Sequence, residues 1–128
     1  KLKKMATLTA KLTLTSSNAT SDALNLTVTD TLTTTEPSIN IARASVLHTA
    51  PTELLSAAAH TAAADEVYFY VKNTDSTNFV AIKTAGAVDF ARLRAGEFMF
   101  LPLREAIGLE CQAHTATCIV EYSYWKRG

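Results

Sequence analysis

The sequence has little of what most reactive or membrane-bound chains rely on. Its 128 residues include two cysteines, three prolines, four glycines and one tryptophan. Cys111 and Cys118 do not make a disulfide framework, and a metal site normally wants more ligands than they supply. The four glycines form no phosphate-cradling loop, and no Gly-x-Ser-x-Gly elbow occurs. No stretch approaches the roughly 20 consecutive apolar residues that span a bilayer, so no membrane partner is expected. Neither sign of charge is in excess, with 12 basic against 12 acidic residues. Nucleic-acid-binding domains usually carry a basic face and surplus charge, so this balance argues against nucleic acid as the main partner.

What is present is the material of one folded domain. Hydrophobic residues make up 48% of the chain, well above a disordered composition. Lys1, Leu2, Lys3 and Lys4 resemble the charged start of a signal peptide, but Met5 to Lys11 alternates with threonine and holds no apolar h-region. The expectation is therefore a reducing compartment and free thiols. Met5-Ala6-Thr7 reads as a natural start. Residues 1–5 are read as an N-terminal extension, either an interface arm or a disordered remnant, and 6–128 as a single domain. Asn18-Ala19-Thr20 and Asn25-Leu26-Thr27 match the glycosylation triplet by chance in a threonine-rich chain.

The strongest positive signal is period two. Leu8, Ala10, Leu12 and Leu14 fall on one parity, with Thr7, Thr9, Lys11, Thr13 and Thr15 on the other. That is a half-buried strand whose β-branched threonines favour extended backbone on the wet face. Ser16 to Asp22 supplies turn chemistry. Leu24, Leu26 and Val28 then repeat the alternation against Asn25, Thr27 and Thr29. Glu36-Pro37 ends this pair, and Ile39, Ile41 and Val46 begin another extended run. Pro51 to His60 is the one helix-like stretch, readable as a short helix or a loop.

The C-terminal half is more apolar. Val67–Val71 reads as a buried central strand, Asn73–Asn78 as a polar loop and Phe79–Ile82 as the returning arm of a hairpin. Gly86 breaks the pattern before Phe90–Leu93. Arg94-Ala95-Gly96-Glu97 reads as a turn with Gly96 at positive φ, and Pro102 places the Phe98–Leu103 run at an edge or ends it there. The last strands, Ile107–Ala113 and Ala116–Trp125, read as a hairpin across His114-Thr115. That register sets Cys111 opposite Cys118, roughly 4.5–5.5 Å apart at Cα, which permits a disulfide. The reducing compartment favours two buried thiols side by side. Eight to ten short strands with at most one short helix give an all-β class, a β-sandwich or jelly-roll-like single domain.

A search for chemistry finds no catalytic, cofactor-binding or metal constellation. His48, His60 and His114 lack the spacing that sets two imidazoles on one metal. Asp65, Glu66, Glu97, Glu110 and Glu121 could supply a glycosidase pair, with Tyr68, Tyr70, Tyr122, Tyr124 and Trp125 as sugar platforms. Alternate tyrosines on neighbouring strands more often form a cross-strand ladder. The expectation is a non-enzyme.

Three segments carry a resemblance: EVYFYVKNTDSTNFVAI, FARLRAGEFMFLPLR and IVEYSYW, spanning Glu66 to Trp125. They are similar to a pattern in small virion proteins of tailed bacteriophages. Its marks here are Lys72-Asn73 before a polar loop, Leu93 with Gly96-Glu97-Phe98, Pro102-Leu103, and Glu121-Tyr122 in the final strand. The resemblance implies a capsid decoration, or cement, protein made in the host cytoplasm and carried on the capsid surface. Its partners would be the major capsid protein and itself, as a homotrimer. A head–tail connector, a tail- or fibre-associated protein and a carbohydrate-binding module using Tyr68, Tyr70 or Trp125 are the alternatives.

Overall fold

The computed structural model describes residues 5–35, 41–62, 65–84 and 88–127. Among them the regular secondary structure is almost wholly strand. β1 (Met5–Ser16) and β2 (Leu24–Thr35) pair as a two-stranded antiparallel ribbon. The rest comprises β3 (Ala42–Val46), β4 (Thr52–Leu55), β5 (Val67–Asn73), β6 (Val80–Thr84), β7 (Val88–Leu93), β8 (Phe98–Leu103), β9 (Leu109–Ala113) and β10 (Cys118–Lys126). These eight form a front sheet in the order β3-β10-β5-β8 and a back sheet in the order β4-β9-β6-β7.

The pairing is nested. β6 pairs with β7, β5 with β8, β4 with β9 and β3 with β10, all antiparallel. One long hairpin has rolled up, and the new pairs β10–β5 and β6–β9 close the two sheets. This is the jelly-roll form of the β-sandwich expected from the strand pattern. Its core lies between the sheets. Val67, Phe69 and Val71 of β5 and Val120 of β10 meet Val80 and Ile82 of β6 and Leu109 and Cys111 of β9, all buried. These residues alternate with outward ones along each strand, as a pleated sheet requires.

Rolling overturns three local expectations. β5 and β6 are not a hairpin, because the Thr74–Phe79 loop carries the chain from one sheet to the other. The same holds for β9 and β10, so Cys111 and Cys118 lie on different sheets and not in opposed register. The helix-like segment splits into strand β4, paired with β9, and a single 3-10 turn at Ala57–Ala59 capped by the Ser56 hydroxyl. Three alanines and a serine are too few for a helix that must nucleate alone, and the β9 edge offers the preceding residues a ladder. Lys1–Lys4, Glu36-Pro37, Ile39 and Gly86 lie outside the described residues.

Other expectations hold. Gly96 has φ +81° at the third position of the Arg94–Glu97 turn, where the Glu97 N–H donates to the Arg94 carbonyl at 3.0 Å. A Cβ there would meet nothing within 4 Å. Gly96→Ala should therefore cost only the conformational penalty of a left-handed alanine, about 1 kcal/mol, read as a lower urea midpoint with an unchanged slope. Pro102 lies on β8, the edge of the front sheet, where a strand stands on one side only.

Candidate interaction surface

The ribbon is built from one alternation written twice. Its register sets Leu8 against Leu32, Leu12 against Val28 and Leu14 against Leu26, so both strands turn their aliphatic residues to the same side. Thr7 and Thr33, Thr9 and Thr31, and Thr13 and Thr27 pair on the other side. At its base the ribbon is tied to the sandwich. Thr34 is buried, bridges to Arg127, and its hydroxyl donates to the Ala6 carbonyl at 3.4 Å. Leu8 and Leu32 there are half-buried. Towards the tip the aliphatic side is open, with Leu12 45%, Leu14 43%, Leu26 40% and Val28 50% exposed.

This side faces the outer surface of the front sheet. The β5 parity opposite the core presents Tyr68 and Tyr70, and β8 adds Phe98 and Phe100. Tyr68 stacks on Phe100 with centroids 6.2 Å apart and planes 8° from parallel. The Tyr70 hydroxyl donates to Glu121 Oε1 at 2.9 Å. Burial first, then the Glu121 carboxylate, pushes its pKa up to about 12. Between ribbon and sheet runs an apolar groove of about 590 Å³, lined by Leu8, Leu12, Val28, Tyr70, Phe98, Phe100 and Trp125 among others. Its charged lining residues are one cation, Lys11, and one anion, Asp30.

The structure sorts the aromatic set singled out from the sequence. Tyr68, Tyr70 and Trp125 come together at the ribbon, with Tyr68 only 8% exposed. Tyr122 and Tyr124 instead pack against the core, where Tyr122 stacks on Phe69 at 6.5 Å. The acidic residues have separate duties. Glu66 pairs with Arg127, Glu97 accepts the Arg94 N–H at 2.6 Å to close its turn, and Glu121 holds Tyr70. Glu110 lies on β9, paired across to Glu53 and Lys83. Asp65 donates its backbone N–H to the Ala62 carbonyl at 2.8 Å. Among the described residues no three His, Cys, Asp or Glu side chains converge as a metal group. No described helix is long and apolar enough to cross a membrane.

The histidines take unrelated places. His60 is fully buried, its Nε2–H donating to the Ile107 carbonyl at 2.8 Å, which fixes the 3-10 turn to the loop before β9. His114 stacks on Phe79 at 4.5 Å, and the Arg92 guanidinium lies 4.2 Å over the same ring. That cluster, on the back sheet near His48, has no signature in the sequence, because its members come from β7 and two inter-sheet crossings. Cys111 and Cys118 are free and buried. Burial, then the neighbouring Cys118, pushes the Cys111 thiol up to about 12, and burial raises Cys118 as well. A thiol reagent at pH 8 should leave both unlabelled in the native protein and label two per chain in guanidinium; rapid native labelling would contradict this.

No family model matches the chain, and no curated protein and no solved structure matches it.

Proposed function

We propose that this protein is a structural component of a phage particle, a decoration protein that binds the outer surface of the head shell and braces neighbouring major capsid subunits. The observation that carries this reading is the ribbon. A jelly roll needs only its two sheets to bury a core, yet this chain spends 24 residues on a separate two-stranded element. An isolated two-stranded hairpin is marginal in water unless a surface covers its apolar side. Here much of that side is open, the state of an element made for assembly.

Two further lines support it. Jelly rolls recur in viral capsid and lectin domains, which is support by analogy of fold alone. Two of the marks that carry the proposed resemblance also meet in space. The Asn73 N–H donates to the Glu97 carbonyl at 2.9 Å, and the Gly96 N–H donates back to the Asn73 carbonyl at 3.0 Å. These bonds stitch the sandwich at one end and leave the ribbon as the element that would carry the role.

The test is to mix the purified protein with expanded shells lacking decoration and image them by electron cryomicroscopy. The expected result is regular added density on the outer surface at many copies per shell. Binding only at one vertex, or as a ring, would assign the protein to the connector or tail. No binding would sink the decoration reading.

A further inference from the structure

We propose that the outer face of the back sheet carries a binding site for a sugar acid, a hydroxylated ring bearing one carboxylate. The site is the cleft over Ala81. It lies away from the ribbon and its groove, which cover the front sheet, and it does not depend on the decoration reading. Register sets the floor. Ala81 of β6 pairs with Arg92 of β7 on one side and with Gln112 of β9 on the other. Paired residues share a face of the sheet, so a single methyl group sits between two long polar side chains. The cleft this leaves measures about 230 Å³. Pockets for drug-sized ligands run to about 300–1,000 Å³, so this one suits a single small unit.

The groups around that floor are held ready. Phe79 immediately precedes β6; Arg92 reaches its ring from β7, and His114 reaches it from the far end of β9. A guanidinium laid on an aromatic face keeps its edge N–H groups free, and their fork matches the two oxygens of a carboxylate. Among the described residues no carboxylate pairs with Arg92. The Gln112 Nε2–H donates to the His48 carbonyl at 3.0 Å, which fixes the amide and leaves its Oε1 as an acceptor. Lys83 and Asp89, paired at 3.3 Å, add a donor and a second acceptor.

Charge and hydrogen bonding select the occupant. The lining cations Arg92 and Lys83, set against Asp89, leave one positive charge, which one carboxylate balances. A polyanion needs a row of cations and would be repelled by Asp89 and by Glu110, which lies across from Lys83. An acidic peptide side chain would meet Arg92 but has no hydroxyl for Asp89 or for the Gln112 Oε1. A sugar acid satisfies both kinds of group, and the exposed His114 ring adds a flat face for the apolar side of the sugar.

The experiment is an NMR titration of the isotope-labelled full chain with sodium glucuronate. Amide shifts at Ala81, Arg92, Gln112 and His114 should saturate with a Kd of about 1–10 mM, the range open to so small a ligand. Glucose lacks the carboxylate and N-acetylglutamate lacks the hydroxyls, so each should bind about tenfold more weakly or worse. Arg92→Gln should weaken glucuronate about tenfold or more, and Ala81→Leu, which fills the floor, should abolish the shifts. Arg92 is exposed and Ala81 lies outside the core cluster, so both variants should keep the wild-type spectrum elsewhere. If either misfolds, the ligand series on the wild-type chain decides. No saturable shift up to about 50 mM glucuronate overturns the proposal. So does equal binding of glucose, which makes the carboxylate irrelevant, or of N-acetylglutamate, which makes the site one for acidic peptides. Tighter binding of inorganic phosphate at the same residues overturns it too, as a simple anion site.

Discussion

Phe69→Ala is expected to remove a large share of the protein's stability. Phe69 is fully buried at the middle of β5, between β10 and β8, and stacks on Tyr122. Truncating a buried phenylalanine removes its transfer free energy and leaves a cavity that the two sheets cannot close, a loss of about 3–5 kcal/mol. Domains of this size have only about 5–15 kcal/mol in total. The fall in Tm should be on the order of 10 °C or more, read by circular dichroism. Phe98→Ala is the control. At 60% exposure on the sheet edge, the same deletion should change the stability of the isolated chain by less than about 0.5 kcal/mol. Equal losses at the two sites would mean that Phe98 belongs to the core after all.

The second large effect falls on a polar residue. Asn73 is fully buried where the chain leaves β5. Its Nδ2 donates to the carbonyls of Asn78 at 2.9 Å and Leu93 at 3.1 Å, and its Oδ1 accepts the Asp75 N–H at 3.0 Å. Asp75 in turn accepts the N–H groups of Thr77 and Asn78, which holds its own carboxyl below the usual range. Asn73→Ala leaves these groups without partners and should cost about 1–3 kcal/mol. Asn73→Asp should cost more at pH 7, about 3–5 kcal/mol, because a buried carboxylate would then face two carbonyl oxygens with no cation beside it. That crowding raises the new carboxyl's folded pKa above its unfolded value. Stability tied to a raised pKa is present at low pH and lost as pH rises through it, so the deficit of Asn73→Asp should shrink from pH 7 to pH 4. Urea unfolding at the two pH values checks both the order of the variants and the sign of the pH effect. A deficit that grows on acidification would refute this account of Asn73.

The candidate surface was legible in the sequence only in pieces. The alternation of Leu8 to Leu14 and Leu24 to Val28 announces two strands with one apolar side, and the register then puts both rows on the same side. The threonines on the other parity read correctly as the wet face. What a period cannot show is how far a side is covered. Half-buried Leu8 and half-exposed Leu14 have the same sequence signature, and only their distance from the sandwich separates them. Tyr68 and Tyr124 are likewise equivalent in the sequence, yet one lies under the ribbon and the other packs against the core. The Arg92, Phe79 and His114 stack, the buried His60 and the Asn73 hub were invisible for the same reason, since each joins segments far apart in the chain.

The sequence by itself determined the strands other than β4, the special backbone position at Gly96 and the edge placement of Pro102. Each of these is a local matter. Alternation follows from the pleat, positive φ from the missing Cβ, and the edge from the missing N–H. Tertiary structure alone decided which strand lies beside which. Backbone donors and acceptors are chemically the same in every strand, so β5 could pair with β6 as readily as with β8 and β10 on hydrogen bonding alone. Burying both apolar faces at once breaks that tie. The folded hairpin rolls, β6–β7 survives as a local pair, and Cys111 and Cys118 end on opposite sheets. It is the same requirement, met in the sandwich and left unmet at the ribbon tip, that leaves Leu12, Leu14, Leu26 and Val28 exposed.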